Sequence, residues 1–314
     1  MRILFWGSSE FSIPSLEALS LEYDIAAVVT NRDSVCGRGL KNVCETDVKS
    51  FAIAHNIPII QPASLKEEGF KEQMLGLKPD LSVVVSFGMI LPEYLLSIPK
   101  FSSINLHASL LPLYRGASPI QAALANGDTV TGVTVQYMVK EVDRGDILLQ
   151  RRIDIRAEDN YQILSERLAQ EGAKLLLEAV KGIEEENIKA VRQDDSAASF
   201  TRMLKKNDGL VDFAKQSSTE IYNKWRAYFP WPGIFTVYNG TSGRINITLL
   251  EINKTTHGRP KGRPGFICSA DKKGLIVECR EGFLSLLKLK PWGKKEMDYK
   301  SFINGYRPVI GRIF

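Results

Sequence analysis

An α/β chain, with an open and largely parallel sheet followed by a small β-barrel, is predicted by three features of the sequence. Leu81 to Ser86 is a continuous β-branched run, too apolar to face water on either side, as expected of a strand inside a parallel sheet. Residues 104 to 127 spell strand, loop and helix in order, the arrangement that puts active sites beyond the carboxyl ends of strands. After Asn207 the pattern changes to short strands separated by glycine and basic turns, the signature of a small barrel. With 314 residues, 44% of them hydrophobic, the chain can bury two cores. We divide it into a first domain over 1–183, a polar linker over 184–206 and a second domain over 207–314.

The elements follow in order. Arg2 to Phe5 is expected as a strand, Gly7-Ser8-Ser9 as a tight turn, and a helix follows with Pro14 in its first turn and Leu16 and Leu19 on its apolar stripe. Gly7 lacks the second and third glycines of GxGxxG, so a nicotinamide cofactor is disfavoured. Strand Ile25 to Thr30 leads to a loop holding Gly37-Arg38-Gly39-Leu40-Lys41, in which flanking glycines leave Arg38 free to reach. Asp47 is read as the cap of a helix ending near His55. A strand at Pro58 to Ile60 and a helix near Glu67 to Leu75 precede the buried run at 81–86. Strands at Val130 to Tyr137 and Ile147 to Ile155 frame a turn, and Asn160 to Ile183 is a long amphipathic helix. In the second domain a helix at Thr219 to Ala227 precedes strands near 234–238, 245–252, 265–268, 275–279 and 283–289. Trp231 and Trp292 are expected to pack in a core or between domains, with base stacking as the alternative.

The net charge of +5 is unevenly spread. From Asn207 onward, 18 Lys and Arg face 9 Asp and Glu, a net +9, which leaves −4 for the rest. Such asymmetry points to a polyanionic partner, and Arg259, Lys261, Arg263, Lys272, Lys273, Lys294 and Lys295, clustered in turns, are the candidate phosphate contacts. Cys36, Cys44, Cys268 and Cys279 show no zinc spacing, so no metal is expected and reduced thiols are the expectation. The chain starts directly in a strand and holds no apolar run long enough to cross a bilayer, which leads us to expect a cytoplasmic protein.

The stretch Asn105-Leu106-His107-Ala108-Ser109-Leu110-Leu111-Pro112 carries the chemistry. Strand alternation puts Asn105 and His107 on one face, an uncharged amide donor beside the side chain that titrates nearest neutrality. Asp143, in the turn Asp143-Arg144-Gly145-Asp146, is the candidate third member, a carboxylate that can orient an imidazole or steer a proton. An amide, an imidazole and a carboxylate together suit attack by an amine on an acyl carbon.

The run from Asn105 to Pro112, the following Tyr114-Arg115-Gly116-Ala117-Ser118-Pro119, and Asp143-Arg144-Gly145-Asp146 resemble the signature of the folate-dependent formyltransferases. Phe5-Trp6-Gly7, Gly37-Arg38-Gly39, Phe229-Pro230-Trp231-Pro232 and Gly293-Lys294-Lys295 extend the resemblance to members that act on methionyl-tRNA, over nearly the whole chain. The resemblance implies a Rossmann-like formyltransferase domain and an OB-like second domain. It also implies 10-formyltetrahydrofolate as formyl donor and the amino group of methionyl initiator tRNA as acceptor; a monomer is the expected state. On that resemblance Phe87, Gly88, Met89, Ile90 and Leu91 line the pterin pocket through backbone groups. Ser109, Leu110, Leu111 and Pro112 shape the folate wall, and Arg38 and Lys41 belong to a loop that closes on the tRNA acceptor stem. The family more often has lysine where this chain has Leu40. A formyltransferase acting on a small amine such as a sugar nucleotide would share the first-domain site, and a non-enzymatic RNA-binding protein is the rival of a different class.

Overall fold

The computed structural model describes residues 1–36, 42–240, 243–256, 263–271 and 274–308. It divides into two compact units, one made of residues 1–120, 130–155 and 163–202, the other of 121–129, 156–162 and 203–314.

In the first unit the chain runs β1 (Arg2–Gly7), α1 (Ile13–Glu22), β2 (Asp24–Val29), a hairpin of β3 (Ser34–Cys36) and β4 (Asn42–Cys44), α2 (Asp47–Ala54) and β5 (Ile59–Ile60). It continues through α3 (Phe70–Gly76), β6 (Leu81–Val85), α4 (Glu93–Leu96), β7 (Ser103–His107), β8 (Arg115–Gly116) and α5 (Pro119–Asn126), of which residues 121–126 group with the second unit. Then come β9 (Val130–Tyr137), β10 (Ile147–Asp154), α6 (Tyr161–Glu184) and β11 (Phe200–Thr201). Seven strands form one sheet in the order β10-β9-β7-β6-β1-β2-β5. From β5 to β7 every pairing is parallel, and β9 and β10 add antiparallel to the other edge. The predicted central strand, β6, lies between β1 and β7 with all five residues buried. Since the chain moves outward from β1 to β5 and returns on the other side at β6, the strand order reverses between β1 and β6. Crevices open at such reversals, beyond the carboxyl ends of the strands.

Beneath the crevice, Trp6 meets Phe87 edge-on at 5.4 Å and Phe70 at 6.4 Å, among buried Leu4, Val29, Met74, Val84, Leu91 and Leu95. The indole nitrogen of Trp6 donates to Ser82 Oγ at 3.3 Å, so its polar edge is satisfied within the core. Phe87 and Leu91, expected at a pterin pocket, are 2% and 5% exposed and belong to this core, whereas Ile90 is 75% exposed. Gly88 sits between them at φ +84°, a backbone conformation that glycine adopts without a Cβ clash.

Several sequence expectations shift locally. Thr46, not Asp47, caps α2, its hydroxyl accepting from the Lys49 amide, because Asp47 already has its place in the first turn. Gly69, left-handed at φ +78°, delays α3 to Phe70, three residues later than periodicity suggested. Cys44 is disulfide-bonded, against the expectation of reduced thiols; the pairing of β3 with β4 folds this stretch back on itself, which cysteine spacing did not foretell. Of residues 184–206, expected as a polar linker, those up to Arg202 belong to the first unit, held by the Ile147–Val191 bridge and the β8–β11 ladder.

The second unit contains α7 (Ser218–Tyr228), β12 (Ile234–Gly240), β13 (Gly243–Thr255), β14 (Ile267–Asp271), β15 (Gly274–Glu278), β16 (Phe283–Pro291), β17 (Met297–Asp298) and α8 (Tyr299–Tyr306). Its sheet is ordered β12-β13-β16-β15-β14, with β17 on β16, and is antiparallel throughout. Ser217 and Glu220 form a capping box that starts α7. α8, which the sequence reading omitted, is capped by Asp298 and buries Phe302 against Tyr238 at 5.5 Å. Neither Trp231 nor Trp292 is buried, at 54% and 81% exposed, so neither packs in the core of this unit.

α6 ties packing to the site. Its apolar stripe of Leu164, Leu168, Ala169, Leu175, Leu176 and Ala179 is buried, and at Gly172 the helix comes so close to β7 that a Cβ would lie 2.8 Å from Leu106 Cδ2. Leu106 is on the opposite face of β7 from Asn105 and His107. Gly172→Val should therefore push on the strand from behind and destabilise the fold by about 1–3 kcal/mol, the usual scale of overpacking. An unchanged urea midpoint would contradict this close fit.

Candidate active site

The face of β7 that carries Asn105 and His107 continues across the sheet into β9, where Gln136 lies opposite Asn105 and Thr134 opposite His107. His107 is 6% exposed. Its Nε2 lies 3.0 Å from the Tyr114 carbonyl oxygen, which can only accept, so Nε2 carries the proton of that bond. The other nitrogen, Nδ1, faces Asp143 Oδ2 at 3.6 Å, beyond a direct hydrogen bond. The ring is thus aimed by a backbone carbonyl and turned toward a carboxylate. Asn105 is partly exposed, and among the described residues its side chain has no hydrogen-bond partner, which leaves an amide donor and acceptor on this face.

Asp143 stands at the turn after β9 with φ +53°, a conformation disfavoured for a residue with a Cβ and held here by its surroundings. Oδ2 accepts from the Gly116 amide at 2.7 Å and Oδ1 from Gln136 Nε2 at 3.2 Å. Gly116 itself has φ +109°, and a Cβ there would fall 2.2 Å from the Thr201 carbonyl oxygen. Only glycine can present that N–H to the carboxylate. From the other side Gln193 Nε2 lies 3.0 Å from the Asp143 carbonyl, 2.7 Å from that of Gly145 and 3.0 Å from Gln136 Oε1.

Gln193 is the residue that sequence reasoning missed. It is buried, and its Oε1 accepts from Arg115 Nε at 3.1 Å and Nη2 at 2.7 Å. Arg115, 3% exposed, sends its remaining arm to Asp195 at 2.9 Å, and Arg144 clamps the same carboxylate with its shortest contact at 2.5 Å. The Arg144 and Arg115 guanidiniums, in that order, hold the Asp195 carboxyl down at about 2. A cleft of about 260 Å³ beside the network is lined by Val139, Glu141, Arg144, Asp146, Arg192, Gln193 and Asp195. The only sequence signal for this was a polar stretch, and polarity does not distinguish a solvated linker from a buried amide.

The loop after β7 is braced as a unit. Ser109 is fully buried, and its hydroxyl donates to the Leu113 carbonyl at 2.6 Å, so the side chain expected to meet a folate instead holds the loop. Thr134 Oγ1 donates to the Ser109 carbonyl at 2.6 Å and accepts from the Leu111 amide at 3.2 Å. Leu111 is 3% exposed; Leu110 and Pro112 are half-buried and remain on the loop's wall, after a cis Leu111–Pro112 bond. Arg38 and Lys41 lie outside the described residues, as do Arg259, Lys261, Lys272 and Lys273. Arg263, Lys294 and Lys295 are exposed on the second unit. No described helix is long and apolar enough to cross a membrane.

Residues 1–180 match the family described as Formyl transferase and residues 203–307 match the Formyl transferase, C-terminal domain. The chain is similar to the methionyl-tRNA formyltransferase of Carboxydothermus hydrogenoformans, with 39% identity over 316 residues covering 100% of this chain and 99% of the relative. That of Syntrophus aciditrophicus is 40% identical over 314 residues, covering 100% and 98%. Among solved structures, WlaRD, a sugar 3N-formyl transferase solved in the presence of dTDP and 5-N-formyl-THF, has a TM-score of 0.65 at 19% identity over 94% of this chain and 99% of its own. HypX from Aquifex aeolicus in complex with tetrahydrofolic acid has a TM-score of 0.65 at 15% identity, over 99% of this chain and 48% of its own. At those identities the structures establish the shared fold.

The depressed Asp195 carboxyl has a pH consequence. A carboxylate whose folded pKa is lowered stabilises the fold above its unfolded value, near 3.8, and loses that contribution as pH falls toward 2. Wild type should therefore lose more stability than Asp195→Asn between pH 4 and pH 2, measured by urea unfolding. Parallel curves for the two proteins would contradict the pairing.

Proposed function

The chain belongs to the methionyl-tRNA formyltransferase family, and on that premise we infer that it transfers a formyl group from a folate carrier to the amino group of methionyl-tRNA. The observation that carries the reading is the gathering of Asn105, His107 and Asp143 at the carboxyl ends of β7 and β9, beside the reversal of strand order. We take the donor to be 10-formyltetrahydrofolate, the acceptor to be initiator methionyl-tRNA, the compartment to be the cytoplasm and the working unit to be one chain.

The residues present fit a reduced folate. Gly88 and Ile90 are exposed at the end of β6, one offering bare backbone and the other an apolar side chain, which suits a flat ring with polar edges. Leu110 and Pro112, half-buried in the loop after β7, add apolar surface. The folate supplies an activated formyl carbon.

In the transfer, the uncharged α-amine attacks the formyl carbon and the carbonyl oxygen gains negative charge. The Asn105 amide donates to that oxygen, free to do so because among the described residues no group occupies it. His107 presents Nδ1, the nitrogen left over from the Tyr114 bond, to Asp143 and the reacting atoms. Asp143 takes the proton that the amine sheds, directly or through a water, and passes it through His107 Nδ1 across the 3.6 Å gap toward the folate nitrogen, which accepts it as the bond from that nitrogen to the formyl carbon breaks and the carbonyl reforms on the new amide. Each carboxylate oxygen already accepts one hydrogen bond, which fixes its position and leaves a lone pair for the proton. Gln193, through both the Asp143 carbonyl and Gln136, sets where that carboxylate stands.

The polyanionic acceptor is what the +9 of the second unit answers, with Arg263, Lys294 and Lys295 as described contacts and Arg259, Lys261, Lys272 and Lys273 as further ones. Arg38 and Lys41 are proposed to meet the acceptor stem. A sugar-nucleotide acceptor has no need of this charge, and an RNA-binding protein without chemistry has no need of the His107–Asp143 arrangement.

Asp143→Asn should lower kcat for methionyl-tRNA by at least about 100-fold, the scale of a lost general base, with the melting temperature retained. Near-wild-type turnover in that variant would remove the proton acceptor from the mechanism. Formylation of a sugar nucleotide but not of methionyl-tRNA by the wild-type chain would overturn the acceptor.

A further inference from the structure

Trp292 presents an indole ring to solvent that the fold does not use. It lies in the turn between β16 and β17, is 81% exposed, and stacks on no other ring among the described residues. Exposing that much apolar surface forfeits one of the larger hydrophobic gains available to any side chain, so its position asks for an occupant. The turn is not loose. The Trp292 amide donates to the Asn246 carbonyl on β13 at 2.9 Å, the Lys294 amide donates back to the Pro291 carbonyl at 3.0 Å, and Gly293 turns the chain at φ +72°. The backbone is therefore pinned with the ring outside.

The surroundings specify the occupant by charge. Lys290, Lys294 and Lys295 are exposed within three residues of the ring, and Arg244 is exposed two residues along β13 from Asn246. None of these four has an ion pair among the described residues. Of the carboxylates that follow in the chain, Glu296 is taken by Lys288 at 2.9 Å and Asp298 by the Ser301 amide at the start of α8. Four unpaired cations around a solvent-facing indole disfavour an acidic-poor protein surface and match a polymer that alternates phosphates with flat, unstacked rings. Phosphates meet the cations, and a base meets the indole face, an arrangement that tolerates any base because each has a π-surface.

We propose that Trp292 stacks on an unpaired base of the tRNA acceptor, with Arg244, Lys290, Lys294 and Lys295 holding the phosphates on either side. The inference rests on the tRNA reading above and adds a non-electrostatic contact to it. Stacking and phosphate contacts differ in their response to salt, which separates them. Loss of the ring should weaken binding by a constant factor at all ionic strengths, whereas loss of a lysine should flatten the dependence of log Kd on log salt by about 0.7–0.9 per phosphate contact.

The test is a set of titrations of the full chain with methionyl-tRNA from low to high salt. Trp292→Ala should raise Kd about 10-fold with the salt slope preserved, and Trp292→Phe should recover most of the affinity. The double variant Lys294→Ala/Lys295→Ala should lower the slope. Because the ring is exposed, Trp292→Ala should melt at the wild-type temperature. Wild-type affinity in Trp292→Ala, or equal weakening in Trp292→Ala and Trp292→Phe, would overturn the stack while leaving the function standing. Failure of the wild-type chain to bind methionyl-tRNA would sink both.

Discussion

A buried guanidinium organises the catalytic unit. Arg115 is 3% exposed, and a cation taken out of water that far is tolerated only when its N–H groups are met by acceptors and its charge by a carboxylate. Gln193 and Asp195 meet both demands. Both come from a stretch some 80 residues further along the chain, so satisfying Arg115 draws residues 193–195 against the loop after β7. Once Gln193 is there, its amide nitrogen faces three acceptors with two protons, and two of those acceptors are the carbonyls of Asp143 and Gly145. The turn that bears the carboxylate is therefore held by a side chain whose own position is set by a charge. Arg144 closes the circuit, since it leaves the same turn and ends on Asp195.

That circuit explains how a strained residue can stand at the centre of the site. Asp143 has a positive φ, which costs of order 1–3 kcal/mol in a residue with a Cβ. Three groups repay this: the Gly116 amide, Gln136 and Gln193, acting on both carboxylate oxygens and on the backbone carbonyl. The Gly116 amide is available only because glycine tolerates φ +109° beside the Thr201 carbonyl. The ladder between β8 and β11 that brings Thr201 there is two residues long. It nonetheless decides which amide faces the carboxylate.

What was legible in the sequence follows periodicity. The two-residue repeat of β7 placed Asn105 and His107 together, and a β-branched run identified the central strand, because both signals are written in consecutive residues. The candidate carboxylate was legible as a turn residue. Gln193 was not, since a polar stretch reads the same whether water or Arg115 satisfies it. Ser109 was misjudged for a related reason: a hydroxyl beside a candidate site can serve a ligand or the backbone, and the Leu113 carbonyl that claims it is named by no pattern. The tryptophans failed in the other direction. Large aromatic residues are usually buried, and only the hydrogen bond from the Trp292 amide to β13 shows that its turn holds the ring in solvent.

The contrast between Asn105 and its neighbours bears on how the proposed transfer gains rate. Around it, His107, Gln136, Asp143 and Gln193 all have partners, so their geometry is settled before any substrate arrives. Among the described residues nothing claims the Asn105 amide, and in the free protein water can serve it because the residue is partly exposed. A bound folate would displace that water, and an amide left without a partner in a drier site costs about 1–3 kcal/mol. A formyl oxygen would relieve that cost in proportion to the charge it carries, and it carries most in the transition state. The site thus needs no donor stronger than an amide, provided the acceptor comes to it and the surrounding network does not yield. Preorganisation of this kind places the demand on Gln193 and Arg115, whose bonds are to the protein itself, as much as on the groups that would meet substrate.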